Sequence, residues 1–361
     1  MQRSMIGARF VRLAIALGVL AALALAPATS ASAAGICITI ICARPGPTVT
    51  DLDVGTTLVT HPAAINNATK VVGMATGATF VHAFAWQSGT LTDLGTLATD
   101  AVRNSMALGL NQAGDVVGWS ETNGDRADSA FVVRNGVMSL VFPHAAAFGI
   151  NSSNQIAGAL TDTAGVHHAV MFQAPNLQYA GTPPTCRDSE AHGINDSGLI
   201  AITGLCTNGH MHAFTSRNGV LFDLGGPYDG DSSANGINGA GEVAGDWTES
   251  GFTRGVIWTG GHIWSLFPLP GHVSSSANAI NSYGRVVGFS TDSAGQKHAV
   301  IWQSGGAVQD LTAQLSAGSG WILQTATGIN DGGQIVGEGL HNGVPHGYLF
   351  TPAPQPVVFC C

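Results

Sequence analysis

Five histidines, His82, His168, His212, His298 and His346, hold one equivalent place in an internal repeat, and Asp51, Asp93, Asp223 and Asp310 hold another. Imidazoles and carboxylates in such numbers could ligate a metal or move protons. The repeat places the histidines on its third strand, well out from any common axis, where copies from neighbouring units could not share one ion. Both sets are therefore read as structural hydrogen-bonding groups. Ligand-binding groups are better sought where the copies differ. Asp162, His167, Asp188, Glu190, His192, Asp229, Asp231, Glu249, Asp292 and Trp321 fall in such places. Asp229-Gly-Asp231-Ser-Ser233 resembles the start of an oxygen-ligand calcium loop, but the rest of that motif is missing. Calcium at Asp229, Asp231 and Ser233 is the one cofactor the sequence suggests. His210-Met-His212 could offer two imidazoles, although His212 belongs to the repeated set. No Gly-x-Ser-x-Gly elbow, His-Glu-x-x-His helix or phosphate loop is present. A glycosidase carboxylate pair drawn from distant loops remains compatible with the sequence.

The six cysteines form two groups, Cys186 and Cys206 internally and Cys37, Cys42, Cys360 and Cys361 toward the ends. They have no Cys-x-x-Cys spacing, so disulfides are expected before zinc. Cys186 and Cys206 should pair at one end of a hairpin. The pairing of the other four is open.

What positions these groups is a repeat. Asn66, Asn111, Asn151, Asn195, Asn238, Asn281 and Asn330 recur at 40 to 49 residues, six of them in Ile-Asn and one in Leu110-Asn111. Gly follows three residues later at Gly114, Gly198, Gly241, Gly284 and Gly333, with Asn154 and Thr69 in the other two copies. That is type I turn chemistry, which accounts for the asparagines without a binding role. Each copy reads as four short strands, the first small and apolar, the third carrying His, Phe and Trp on one face.

His82-Ala83-Phe84-Ala85-Trp86 and His212-Ala213-Phe214, with the Ile-Asn-x-x-Gly turns and Asp93-Leu94-Gly95, resemble the bacterial extracellular repeats named for His-Ala-Phe. The resemblance covers about residues 48–352. Ser129 and Arg254 replace the histidine in two copies. It implies an exported repeat protein and brings no assigned activity.

Repeats of this length with three hairpin-like connections and one longer link predict an all-β fold: a seven-bladed β-propeller of four-stranded antiparallel blades. The last copy stops after three strands, near Tyr348-Leu-Phe350, whereas Val49-Thr-Asp-Leu-Asp53 matches a fourth strand lacking its partners. The N-terminal strand should complete the last blade, which a β-solenoid would not require. Cys37 and Cys42 would then approach Cys360 and Cys361.

The expected organisation is a secretory signal at 1–33, a cysteine-containing segment at 34–47, the propeller at 48–352 and a Pro/Cys tail at 353–361. Arg3, Arg9 and Arg12 precede an apolar run from Leu13 to Ala26, and Ala31-Ser32-Ala33 supplies a cleavage site. That run is shorter than the roughly 20 residues a membrane span needs, so no span is expected. Formal net charge is −9, and removing three arginines with the signal gives −12. An acidic chain whose lysines are Lys70 and Lys297 offers no footprint for nucleic acid. The sequence therefore suggests a secreted, non-enzymatic binding module whose partner is an extracellular glycan or protein. A glycoside hydrolase or lyase with acidic loop residues, and a protease-resistant structural surface protein, are the alternatives.

Overall fold

The computed structural model of the chain describes residues 45–53, 58–99, 103–123, 128–181, 186–226, 230–303 and 306–354. The signal segment and Cys37, Cys42, Cys360 and Cys361 lie outside the described residues.

The described strands form seven four-stranded antiparallel sheets, the blades of a seven-bladed β-propeller. Blade 1 is built from Val59–Ile65, Val71–Thr76, Val81–Gln87 and Thr90–Gly95. Blades 2 to 6 follow in chain order and begin with inner strands Ser105–Leu110, Ala145–Ile150, Cys186–Ile194, Asp231–Ile237 and Ser274–Ile280. Blade 7 takes Trp321–Ile329, Ile335–His341 and Val344–Thr351 from the end of the fold, and Thr48–Asp51 from its start. Thr48 pairs with Thr351 and Asp51 with Tyr348, so the N-terminal strand closes the ring as its unpaired sequence predicts. Cys186 and Cys206 lie opposite each other on the first two strands of blade 4 and form a disulfide. Among the described residues no helix is long and apolar enough to cross a membrane.

Seven hydrophobic clusters form the core, one between each pair of neighbouring blades. The third strand shows how one sequence serves two interfaces. Phe84 and Trp86 face blade 7, against Val336 and Leu349. Ala83 and Ala85, pointing the other way, meet Ala107 and Phe131 of blade 2. Alternation with period two thus gives a large face and a small face, and twisted sheets nest large against small. Serines on the inner strands tie the same interfaces together. The Ser105 hydroxyl accepts the Ala83 N–H at 2.9 Å and donates to the Gly95 carbonyl at 2.6 Å, both in the preceding blade. Ser189, Ser232 and Ser275 accept N–H groups from Ala169, Ala213 and Gly255 in the same manner.

The repeated asparagines form a closed circle. In all seven turns the Asn carbonyl accepts the N–H of the third following residue, which has positive φ, including Thr69 at 60° and Asn154 at 62°. Each Asn Oδ1 accepts the N–H four residues on, at 2.9–3.0 Å. Each Nδ2 then donates to the Asn carbonyl of the next blade, from Asn66 to Asn111 and onward, at 3.0 to 3.4 Å. Asn330 returns the circle to Asn66 at 3.1 Å. Turn chemistry explains the oxygen, and the bond to the next blade is what all seven nitrogens share.

Buried groups left unpaired cost more than a typical hydrogen bond yields. An Asn281→Ala variant strips acceptors from the Tyr283 and Arg285 N–H groups and the donor from the Asn330 carbonyl. It should lose about 2–4 kcal/mol of stability in urea unfolding, against less than about 0.5 for the exposed Gln178→Ala control.

Candidate functional site

Seven inner strands crowd one axis. The residue two before each ring asparagine is Ala64, Gly109, Gly149, Gly193, Gly236, Ala279 or Gly328. A Cβ on Gly109 would come within 2.5 Å of the Phe148 carbonyl oxygen, and one on Gly149 within 3.3 Å of the Gly193 Cα. Larger residues would force the blades apart. Directly before that small residue every inner strand carries a β-bulge, centred on Ala63, Leu108, Phe148, His192, Asn235, Asn278 and Thr327. A bulge re-aims a side chain, and here the backbone just before the bulge presses on the second strand. On Gly288, for example, a Cβ would run into the Ser276 carbonyl oxygen.

The axial channel consequently has two unlike ends. At the asparagine-ring end a cavity of about 250 Å³ is lined by the aliphatic residues that precede the ring asparagines, such as Ile150 and Ile194, and by polar turn residues, several of which bond one another. Asn67 donates to Asp331 at 2.9 Å, and the Asp331 N–H donates back to Asn67 Oδ1 at 2.9 Å. Ser152 N–H donates to Asp196 at 2.8 Å. Burial alone would raise the Asp331 carboxyl, but hydrogen bonds from Asn67 and Ser282 outweigh it and hold it below the usual range. At the other end a cavity of about 230 Å³ is lined by bulge residues, among them Phe148, Asn235, Asn278 and Thr327.

This second end is where the second-to-third loops and the links between blades emerge. Three of its bulge residues are held in place. Asn235 donates to Asp246 at 3.1 Å and to the Ala277 carbonyl at 2.8 Å. Asn278 donates to the Ala326 carbonyl at 2.8 Å, and Thr327 to the Pro62 carbonyl at 2.6 Å. Asp246 also accepts from Ala277 N–H and Ser276 Oγ at 2.8 and 2.9 Å. Burial still dominates and pushes its carboxyl up to about 6.

Among the candidates singled out from sequence, four meet at one corner between blades 3 and 4, all of them on strands rather than loops. His167 Nδ1 lies 2.8 Å from Glu190 Oε1 and 3.8 Å from Asp188 Oδ1. His192 lies 3.9 Å from Glu190 Oε2 and against Phe148, with ring centroids 5.3 Å apart. Burial lowers the His192 pKa, with the nearby Glu190 charge opposing it, so burial favours a neutral ring.

The other candidates are dispersed. Asp162 caps its own loop through the Ala164 and Val166 N–H groups and meets His168 at 3.0 Å. The His168 bond comes first among the causes holding its carboxyl at about 2. Asp292 caps the equivalent loop of blade 6. Glu249 sits exposed at the blade 5 hairpin. Trp321 is buried, its ring stacked on His341 at 4.5 Å. Of the calcium set, Asp229 lies outside the described residues, and Ser233 sits in the inner strand of blade 5. Asp231 Oδ1 accepts the Met211 N–H at 2.9 Å and lies 3.2 Å from His210 Nδ1.

The repeated histidines find partners inside their own blades. His82 meets Asp93 at 2.9 Å, His346 meets Asp51 at 2.9 Å, and His298 lies 3.5 Å from Asp310. His212 contacts Asn208 at 3.1 Å. Phe148, Asn235, Asn278, Thr327 and Asp246 escaped the sequence reading. The signal was present as the residue three before each ring asparagine, but only the bulge shows that this position faces the axis.

Compared with known proteins by sequence, the chain matches no family model and no curated protein. By structure it is similar to propellers. The β-propeller domain of the Trilobed protease from Pyrococcus furiosus aligns at TM-score 0.55 and 8% identity, over 86% of this chain and 98% of that one. One of two prolyl endopeptidases studied together aligns at TM-score 0.55 and 11% identity, over 87% of this chain and 51% of that one. The acylaminoacyl peptidase of Pyrococcus horikoshii aligns at 0.53 and 9%, over 82% and 53%. This chain spans about half the length of those two peptidases. At these identities the likeness is one of fold.

Asp246 gives the site a pH signature. Its folded pKa of about 6 exceeds the ordinary 3.8, so its contribution is present below pH 4 and lost as pH rises through 6. Between pH 4 and pH 7 the wild type should lose about 2–3 kcal/mol of stability relative to Asp246→Asn. A wild-type-minus-variant difference that stays flat across that range in urea unfolding would contradict this assignment.

Proposed function

We propose that the chain is a secreted, non-enzymatic binding module whose ligand, an extracellular glycan or protein, docks at the bulge-lined end of the channel. One observation carries this reading. Six of the seven copies of one backbone position line one cavity and bear Ala63, Leu108, Phe148, Asn235, Asn278 and Thr327, the seventh, His192, packing against Phe148, while all seven supporting residues are asparagine. A rigid frame with dissimilar side chains at its mouth suits recognition by shape and hydrogen bonding. The chemistry present fits a sugar: an aromatic face on Phe148, amides at Asn235 and Asn278, and the carboxylates of Asp188 and Glu190 nearby. Export rests on the basic and apolar N-terminal sequence and is in keeping with the Cys186–Cys206 disulfide.

A second reading draws on one further observation. Asp188 and Glu190 both reach the same His167 nitrogen, and two close carboxylates are what a glycoside hydrolase or lyase uses.

The oxidised protein should bind selectively on a broad glycan array, and Phe148→Ala should weaken that binding at least tenfold with its melting temperature preserved. Loss in chelator would bring the Asp229–Ser233 loop into the site as a calcium loop. Shortened or unsaturated products from a bound glycan, abolished in Glu190→Gln, would establish the enzymatic reading instead. Silence on every glycan would remove sugars and leave extracellular proteins as ligand.

A further inference from the structure

The blade that closes the ring differs from the others where its strand-three histidine meets its strand-four aspartate. In blade 1, His82 faces Asp93 alone. In blade 7 a second imidazole joins the pair. Asp51 Oδ1 lies 2.9 Å from His346 Nδ1, and Asp51 Oδ2 lies 2.9 Å from His341 Nδ1. The three residues come from three adjacent strands: Thr48–Asp51, Ile335–His341 and Val344–Thr351. Their ligand atoms lie within 4.8 Å of one another, and among the described residues no other set of three His, Cys, Asp or Glu does so.

From this geometry we infer that Asp51, His341 and His346 form a binding site for a borderline divalent transition ion of the Zn²⁺ class, fastening the N-terminal strand to the end of the fold. Two imidazoles and one carboxylate are a common zinc donor set, with a fourth position left for water. Around a tetrahedral ion with bonds of about 2.0–2.1 Å, neighbouring ligand atoms lie about 3.3 Å apart. The two 2.9 Å contacts run to different oxygens of Asp51, and the three ligand atoms lie within 4.8 Å of one another, so an ion would draw both Nδ1 atoms in around one carboxylate oxygen. In the bound form each imidazole presents its Nδ1 lone pair to the ion and carries its proton on Nε2. Mg²⁺ prefers an oxygen shell and its own water, so it is a poor occupant.

The surroundings support the donors. The Trp321 ring stacks on His341 with an interplanar angle of 3° and meets His346 edge-on at 6.2 Å, which limits rotation of both imidazoles. The Asp51 carboxylate accepts the Asp53 N–H at 2.9 Å. A second carboxylate, Asp53 Oδ2, lies 3.7 Å from His346 Nδ1 and adds negative charge beside the ion. The site is reachable, since the side chains of His341 and His346 are 30% and 24% exposed. Supporting groups of this kind tune affinity by about 10–100-fold in known metal sites.

The test uses the full oxidised chain, stripped with chelator and titrated with Zn²⁺ in a calorimeter. One ion per chain should bind and raise the thermal midpoint, and Mg²⁺ at equal concentration should do neither. His341→Ala and His346→Ala should each weaken Zn²⁺ binding at least tenfold, whereas His82→Ala should bind as the wild type does. Should His346→Ala fail to fold, Co²⁺ offers a second readout. The wild type should show the intense visible absorption of tetrahedral cobalt, and His341→Ala only the pale spectrum of an octahedral ion. No stoichiometric binding, equal binding by His341→Ala, or a pale spectrum in the wild type would each overturn the site.

Discussion

Everything in this molecule hangs on the two ends of one carboxamide. The asparagine oxygen completes its own turn, and the nitrogen reaches the backbone of the next blade. No other side chain of that length offers an acceptor and a donor on one rigid plane. Aspartate would keep the turn and lose the link, and serine would lack the reach. The bonds sit at the narrowest radius of the ring, where the asparagines are all nearly buried, and an unpaired polar group there would be costly. The circle therefore fixes the angle between successive blades, and seven such steps close it.

Close approach at the axis then dictates much of the remaining pattern. Blades held this near leave no volume for side chains on the innermost strand, hence the run of Gly and Ala beside the ring. The strand relieves crowding with a bulge, a carbonyl two residues before the bulge presses on the second strand, and the facing position there is glycine in six of the blades. Blade 4 is informative because it departs. Ile202 stands where Gly288 stands in blade 6, opposite Ala191 of the inner strand. Farther out, where blades diverge, the third strand needs bulk on one face, which Phe84 and Trp86 supply.

Much of this was legible in the sequence because it recurs. Seven asparagine turns, six of them Ile-Asn, the fourth-strand match at Val49–Asp53, and Cys186 with Cys206 at one hairpin end announced the fold, its closure and its internal disulfide. What stayed hidden depends on contacts between copies rather than within one. Nothing in a single repeat says that the asparagine nitrogen has a partner 43 residues away, or that Ser105 accepts a hydrogen bond from the preceding blade. The candidate site was partly legible. Loop carboxylates and histidines could be named by their variability, yet Phe148 and Asn235 read as ordinary strand residues, because a bulge leaves no mark on period-two alternation. Trp321 had the opposite fate: it was among the ligand-binding candidates, and the fold buries it against His341.

The junction between blades 7 and 1 bears a burden the other six do not. Its partners are 264 residues apart, against 43 at a typical interface. Loop-closure entropy grows only with the logarithm of length, so the extra cost is about 1.5 kcal/mol. Side-chain bonds of the kind seen at other junctions help to offset it. Thr327 donates to the Pro62 carbonyl at 2.6 Å, Thr69 to Gln334 at 2.7 Å, and Asn67 and Asp331 bond reciprocally. These lie near the axis, whereas Thr48–Asp51 pairs with Val344–Thr351 at the outer edge. A hinge that opened either radius would still have to break the other. Two fastenings at different distances from the axis resist rotation as one fastening cannot, and a four-residue closing strand is then long enough.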